Sequence, residues 1–182
     1  VPADQDIQCY AEMIRTVKCR LPDVAVKAYP ASELDYMIDK AGRSYEGGLT
    51  LLRDAGLQAI PGGGAEIFDE ELRRQICPEK GDAQVWLSLH RTAHRLGIRS
   101  NATMLYGHVE TIPQRIDHLD RLRTLQDETD GFDAFIPLKF RRSGNRLGEG
   151  REEVPVTEAL RTLAMTRLYP DNVAPPNAHR GR

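Results

Sequence analysis

The sequence has few cysteines, and their arrangement is not that of metal ligands. Cys9, Cys19 and Cys77 are scattered and odd in number among 182 residues. No two of them have the short spacing of a metal-binding pair, and an odd count does not build a disulfide framework. We therefore expect free thiols in a reducing cytoplasm and no metal ligands in this chain.

An excess of one charge and long apolar runs are also missing. The chain carries 25 Lys and Arg against 27 Asp and Glu, with no long run of one sign. That balance lacks the basic footprint of a nucleic-acid-binding protein. No apolar run has the length that a bilayer requires. The sequence thus predicts a cytoplasmic protein whose partners are neither nucleic acids nor membranes.

Common nucleotide and zinc signatures are absent as well. No P-loop lysine follows the glycines at residues 62–64, and no G-x-G-x-x-G opens a helix. His90 and His94 have the H-x-x-x-H spacing on a predicted helix. However, Arg91 stands where zinc proteases carry a glutamate. We expect no zinc site there.

What the sequence does contain is an alternation of strands and helices. Apolar runs predict strands that begin near residues 24, 57, 98 and 132, each followed by a helix, roughly 33 to 41 residues apart. Crossovers of that length imply parallel strands. The fold class is α/β, either part of a (β/α) barrel or a doubly wound sheet. Polar loops of similar character after each strand favour a partial barrel with outer helices, over residues 1–172. Residues 173–182 are expected to be a disordered or artificial tail.

One turn stands out in this alternation. The strand at residues 57–60 stops at Pro61, and three glycines follow at residues 62–64. Glycine permits positive φ and close approach of the backbone to a ligand. Glu66 comes next, and Asp69 is placed to cap a helix. The glycines alone fit a flexible turn equally well. Strand, glycine turn, carboxylate and helix together are typical of a binding site at the carboxyl ends of strands.

Polar residues near the other strand ends extend this candidate site. In a parallel barrel the carboxyl ends of the strands meet at one face. Asn101 and Thr103 lie two apart, so both point to one side, toward a ligand or toward neighbouring strands. His108 could hold a carboxylate, relay a proton or be a solvated loop residue. The predicted rim consists of Glu33, Gly62, Gly63, Gly64, Glu66, Asn101, Thr103, Tyr106 and His108, with Lys139 and Phe140 after the last strand.

Several segments resemble aminofutalosine synthase. They are residues 89–97 (LHRTAHRLG), 100–111 (SNATMLYGHVET), 125–129 (LQDET) and 135–138 (FIPL), and residues 61–66 (PGGGAE) fit as well. The resemblance covers about residues 8–172. This family comprises radical S-adenosylmethionine (SAM) enzymes of menaquinone biosynthesis by the futalosine route. The cyclic dehypoxanthine futalosine synthase and the deazaflavin-forming synthase of coenzyme F420 share much of the pattern.

The resemblance implies a radical SAM barrel with defined cofactors and partners. A C-x-x-x-C-x-x-C loop would hold a [4Fe-4S] cluster, SAM would bind the cluster, and an electron donor would reduce it. The 5′-deoxyadenosyl radical would then add to the small-molecule substrate 3-[(1-carboxyvinyl)oxy]benzoate to give 6-amino-6-deoxyfutalosine. The rim would line the pocket for SAM and substrate. The resemblance assigns no catalytic residue.

The chain departs from the family in three places. The cysteine loop would lie before Val1, Arg141 and the residues after it replace the family's His-Pro-Glu-Asn, and a Pro-rich segment follows Asn172. We therefore expect the middle and late part of a transferase that is inactive on its own. A cluster-free binding module is the alternative. An in-frame cysteine loop upstream of Val1 in the genome would favour the enzyme.

The chain alone is expected neither to bind a [4Fe-4S] cluster nor to cleave SAM. Cys9 and Cys19 lie at opposite ends of a predicted helix, about 15 Å apart at 1.5 Å per residue. A cluster needs thiolates delivered together, usually by one short loop. Anaerobic reconstitution with iron and sulfide should give no absorbance band near about 400 nm. A stoichiometric cluster with release of 5′-deoxyadenosine would contradict this prediction.

Overall fold

The computed structural model describes residues 2, 5–144, 146–150 and 152–173. The predicted tail at residues 173–182 therefore lies outside the described residues, except for Val173. No helix in the described part of the chain is both long and apolar enough to cross a membrane. The helices are α1 (Ile7–Arg20), α2 (Ala31–Lys40), α3 (Tyr45–Ala55), α4 (Glu70–Ile76), α5 (Ala83–Arg95), α6 (Ile112–Thr129) and α7 (Val156–Leu168), with short 3-10 turns at Pro78–Lys80 and Arg146–Gly148.

Three parallel strands form the sheet, in the order β1 (Ala59–Ile60), β2 (Arg99–Tyr106) and β3 (Phe132–Lys139). Ile60 lies opposite Ser100, and Thr103 lies opposite Ile136. Strands that are consecutive in the chain are neighbours in the sheet, and one or more helices lie between them in sequence. The predicted α/β architecture with parallel strands and outer helices is thereby confirmed.

The predicted strand near residues 24–29 is wrong. That segment makes only an isolated parallel bridge between Lys27 and Ala59. The side-chain oxygen of Gln58 accepts the N–H of Val26 at 3.1 Å, which takes a donor that a strand partner would need. Tyr29 has φ 60° and so leaves the extended region. The side-chain bond of Gln58 and the positive φ of Tyr29 therefore limit strand pairing by residues 24–29 to a short stretch.

Polar caps fix where the helices begin. The side chain of Asp69 accepts from the N–H of Leu72, and Asp82 caps α5 in the same way. Thr111 and Gln114 form a capping box at the start of α6. Helix α2 has no side-chain cap, because it begins at Ala31 with Pro30 at the cap position and Ser32 already inside the helix.

The two faces of β2 differ in what covers them. Ser100, Ala102, Met104 and Tyr106 alternate along the strand and are buried. The hydroxyl of Ser100 contacts histidines of α5, so this face meets the helices. The opposite face, which we call the open face, carries Asn101, Thr103 and Leu105. Asn101 and Leu105 are only half-buried. The described residues therefore cover this face of the sheet only in part.

The H-x-x-x-H pair on α5 forms a buried hydrogen-bond chain. Nδ1 of His90 and Nε2 of His94 lie 2.9 and 2.7 Å from Oγ of Ser100. Nδ1 of His94 lies 2.8 Å from Oγ1 of Thr129, whose hydroxyl donates to the carbonyl of Leu125. That hydroxyl must therefore accept from Nδ1 of His94, which leaves Nε2 to accept from Ser100. The pair joins α5, β2 and α6 as neutral imidazoles.

Burial keeps three histidines uncharged. It lowers the pKa of His94 to about 4 and that of His118 to about 3. Burial and the neighbouring His94 also place the pKa of His90 well below its usual value. In the unfolded chain these groups titrate near about 6.5. Below about pH 6.5 the unfolded state therefore binds more protons than the folded state does.

The free energy of unfolding should decrease as the pH falls from about 7.5 to about 5, because the unfolded state gains protons over this range. Urea denaturation at several pH values measures this slope. The carbonyl of Thr103 accepts a hydrogen bond from Nε2 of His118 at 2.9 Å. His118→Gln keeps a donor for this carbonyl and removes one titrating group. This variant should show a shallower slope. A free energy that does not change with pH would contradict the prediction.

Candidate functional site

Every carbonyl of the glycine turn (residues 62–66) accepts a hydrogen bond from the protein. Thr103 Oγ1 donates to Gly62 at 2.6 Å, and Trp86 Nε1 donates to Gly63 at 3.3 Å. The N–H of Leu105 donates to the carbonyl of Glu66 at 2.8 Å. The guanidinium of Arg73 donates to the carbonyls of Gly64, Ala65 and Ile67.

The N–H groups of the same turn are left without acceptors. No hydrogen bond among the described residues uses the N–H of any residue from 62 to 66 as its donor. Gly62, Gly64 and Ala65 are nevertheless buried. Buried N–H groups without partners are rare in folded proteins. The turn thus presents a row of unused donors while its carbonyls are fixed by the core.

Backbone geometry explains why glycine is needed in this turn. A Cβ on Gly62 would lie 2.5 Å from the carbonyl oxygen of Asn101, on the neighbouring strand. Gly64 has φ 88°, a conformation that costs other residues about 1 kcal/mol. Glu66 also has positive φ, 43°, and is therefore held in a strained conformation.

Arg73 on α4 connects this turn to the segment after α4. Its side chain is 1% exposed and also donates to the carbonyls of Lys80 and Gly81. No carboxylate pairs with Arg73 among the described residues, so its acceptors are all backbone carbonyls. The guanidinium holds two loops together and places an uncompensated positive charge beneath them.

A cavity of about 720 Å³ opens between these loops and the strand ends. Glu66 and Lys80 form an ion pair across it, with 2.7 Å between Oε1 and Nζ. Pairing with Glu66 raises the pKa of Lys80 despite the opposing effect of burial, so its ammonium stays charged. We call this space the Lys80 cavity. Its lining residues are Glu66, Gln75, Ile76, Cys77, Lys80, Leu105, Phe140 and Leu147.

The structure brings only part of the predicted rim together. Glu66 and Phe140 line the Lys80 cavity, and the glycines lie next to Glu66. Asn101 lies on the open face, half-buried. Thr103 shares this face, but its hydroxyl donates to the carbonyl of Gly62. Of the two alternatives for this side chain, it therefore bonds to the neighbouring backbone segment.

Three other predicted residues lie away from the cavity lining. Tyr106 is 3% exposed and faces the helices, with the guanidinium of Arg115 5.6 Å from its ring centre. Glu33 lies half-buried in the first turn of α2. The side chain of His108 is fully buried, which lowers its pKa. Its Nε2 lies 3.2 Å from the carbonyl of Leu105 and so carries the ring proton. Of the roles left open for His108, that of a solvated loop residue is wrong.

Glu110 is the residue that sequence reasoning missed. Its buried carboxylate accepts from the N–H groups of Gly107 and His108 and from Nε of Arg115. Burial alone would raise the pKa of Glu110, but these donors lower it below the usual value. Arg115 also reaches Glu158 and Thr162 of α7. A glutamate three residues after Gly107, just before a capping box, was the available signal.

The residues of this chain do not fit an iron–sulfur cluster. Cys9 and Cys19 lie near opposite ends of α1, and Cys77 is buried after α4. Among the described residues there is no group of three His, Cys, Asp or Glu side chains that could hold a metal ion. Any cluster in a longer parent would have to be held by residues outside this chain.

Arg73→Met should destabilise the protein by about 3 kcal/mol or more, because several buried carbonyls lose their only donor. Arg74→Met is the matched control, since Arg74 is the exposed neighbour on the same helix. It should change the free energy of unfolding by less than about 0.5 kcal/mol. Urea denaturation at pH 7 measures both variants. Equal effects at the two positions would contradict the role assigned to Arg73.

Comparison with known proteins finds sequence similarity to futalosine-route enzymes and to tyrosine 4-hydroxyphenyl transferases. No protein-family model matches the chain. Aminodeoxyfutalosine synthase of Thermus thermophilus is 51% identical over 166 residues, which cover 90% of this chain and 45% of that protein. The 5-amino-6-(D-ribitylamino)uracil–L-tyrosine 4-hydroxyphenyl transferase of Methanopyrus kandleri is 40% identical over 88% of the chain and 44% of its own length. Cyclic dehypoxanthine futalosine synthase of Streptomyces coelicolor is 37% identical over 94% of the chain and 43% of its own length.

A solved structure supports the barrel assignment. Streptococcus suis SuiB matches 96% of this chain and 44% of its own chain, with a TM-score of 0.50 and 10% sequence identity. At that identity the likeness concerns the fold alone, and it agrees with a partial α/β barrel. The chain spans less than half the length of the curated relatives it matches. The predicted resemblance is confirmed: the chain is a homologue of the aminodeoxyfutalosine synthases over nine-tenths of its length.

Proposed function

We propose that this chain is the part of an aminofutalosine synthase that binds SAM and substrate, within a longer cytoplasmic parent enzyme. The observation that carries the proposal is the glycine turn, whose carbonyls are fixed by the core while its N–H groups have no acceptor. Buried donors of this kind are satisfied when a ligand supplies acceptors. The Lys80 cavity beside the turn provides space for such a ligand.

The residues of this chain would bind and orient the reactants. The N–H groups of the glycine turn would donate to acceptor atoms of a ligand, and the absence of a Cβ at Gly62 and Gly64 allows close approach. Asn101 would add a side-chain amide from the open face. SAM, when bound in the parent, supplies a 5′-deoxyadenosyl radical for addition to the enol ether of the substrate. The surrounding side chains would exclude water from that radical.

Sequence identity favours this activity over its two relatives. Identity is 51% with the T. thermophilus aminodeoxyfutalosine synthase, against 40% with the tyrosine 4-hydroxyphenyl transferase and 37% with the cyclic dehypoxanthine futalosine synthase. The parent would require a [4Fe-4S] cluster and an electron donor, both supplied from outside this chain. A cluster-free binding module would retain ligand binding without turnover.

In a full-length parent, Asn101→Ala should lower turnover at least about tenfold, or about 1.4 kcal/mol, because a donor and acceptor to the reactants is lost. The fold should be unaffected, since the Asn101 side chain makes no hydrogen bond within the described residues. Formation of 6-amino-6-deoxyfutalosine and of 5′-deoxyadenosine measures the effect.

Asp133→Ala is the control for this experiment. Asp133 lies exposed near the start of β3, outside the lining of the Lys80 cavity, and pairs with Arg99. The turnover of the Asp133→Ala variant should equal that of the unsubstituted parent. Unchanged turnover of Asn101→Ala would remove the open face from the site. Full turnover with either relative's substrate, and none with the enol ether, would refute the proposed activity.

A further inference from the structure

The charges around the Lys80 cavity do not balance. The cationic groups are Lys80, which lines the cavity, and Arg73, which is buried beneath it. Among the described residues, Glu66 is the only carboxylate in the lining. Glu79 adjoins Lys80 in sequence but is exposed and outside the lining. Two cationic groups and one lining carboxylate give the surroundings of the cavity a net charge of +1.

Cys77 does not supply the missing negative charge. Its thiol is buried, and burial raises its pKa although Arg73 and Lys80 oppose the shift. The thiol is therefore neutral near pH 7. Arg73 donates to backbone carbonyls alone and has no carboxylate partner in the described residues. A buried charge without a counter-ion is costly, so an anion that entered the cavity would be bound favourably.

The remaining surface of the cavity is apolar. Ile76, Leu105, Phe140 and Leu147 line it together with the Glu66–Lys80 pair. The side chain of Lys80 remains 33% exposed, so its ammonium can accept a second anionic partner besides Glu66. A ligand that suits this lining has a carboxylate at one end and a planar apolar group at the other.

We propose that the Lys80 cavity is a subsite for an aromatic carboxylate, with Lys80 as the anchor of the carboxylate and Leu105 and Phe140 against the ring. This inference deepens the proposed function and rests on it, because it assigns a place to the acidic aromatic part of the substrate. Arg73 acts as a positioning residue, since it holds the loop that carries Lys80 against the glycine turn.

Benzoate is the probe and benzamide is its uncharged match in shape. Both are titrated into the chain, and binding is followed by the NMR shifts of the Glu66 and Lys80 backbone amides. Benzoate should bind saturably, and benzamide at least about tenfold more weakly, because only benzoate offers a charge to Lys80. Equal affinities, or no saturable binding of benzoate, would overturn the subsite.

Variants then test the anchor. Lys80→Met should weaken benzoate binding at least about tenfold, and Lys80→Arg should retain it within about threefold. Lys40→Met makes the same chemical change on α2, remote from the cavity, and should bind benzoate as the parent chain does. Circular dichroism checks that each variant is folded. Unweakened binding by folded Lys80→Met would exclude Lys80 as the anchor.

The outcome is separable from that of the proposed function. Benzoate binding requires neither SAM nor turnover, so it can be present in a protein that lacks aminofutalosine synthase activity. Conversely, a full-length parent that forms 6-amino-6-deoxyfutalosine with Lys80→Met at unchanged KM and kcat would support the function and refute the subsite.

Discussion

The buried guanidinium of Arg73 is the interaction on which the candidate site depends. It satisfies carbonyls from two loops that are not adjacent in sequence, at residues 64–67 and 80–81. A carboxylate partner would neutralise the charge but would leave those carbonyls unpaired. Because the carbonyls are held inward, the N–H groups of the glycine turn are left for something other than the protein. Helix α4 therefore determines which polar groups the turn exposes.

A second arginine plays a comparable role one strand further along the sheet. Arg115 joins the loop after β2, through Glu110, to Thr162 and Glu158 on α7. Glu110 in turn accepts the N–H of His108, so the end of β2 is connected to two helices. Consecutive strand ends are thus fixed to the helical layer by buried cations. Loops held in this way keep their shape although one face of the sheet is open, which a preorganised binding site requires.

The fold was predictable from the sequence where local signals decide it. Parallel strands, the caps at Asp69 and Asp82, and the capping box at Thr111 depend on residues close together in the chain. The role of Arg73 was not predictable, because an arginine near a helix end fits the helix dipole equally well. Its carbonyl partners are apparent only after the loops have folded. The same holds for His108. The sequence pattern left a solvated loop position open for it, and tertiary contacts bury it.

The open face and the charge beneath the Lys80 cavity have a common consequence. A sheet face that is left half-buried, with a polar Asn101 upon it, gains little from packing within these residues. An uncompensated cation also lowers stability unless an anion is near. Stability alone would favour an apolar residue at position 101. Features that oppose stability are expected where a ligand completes the structure. The physical cost of these features thus points to a ligand-binding site here, as the sequence likeness does.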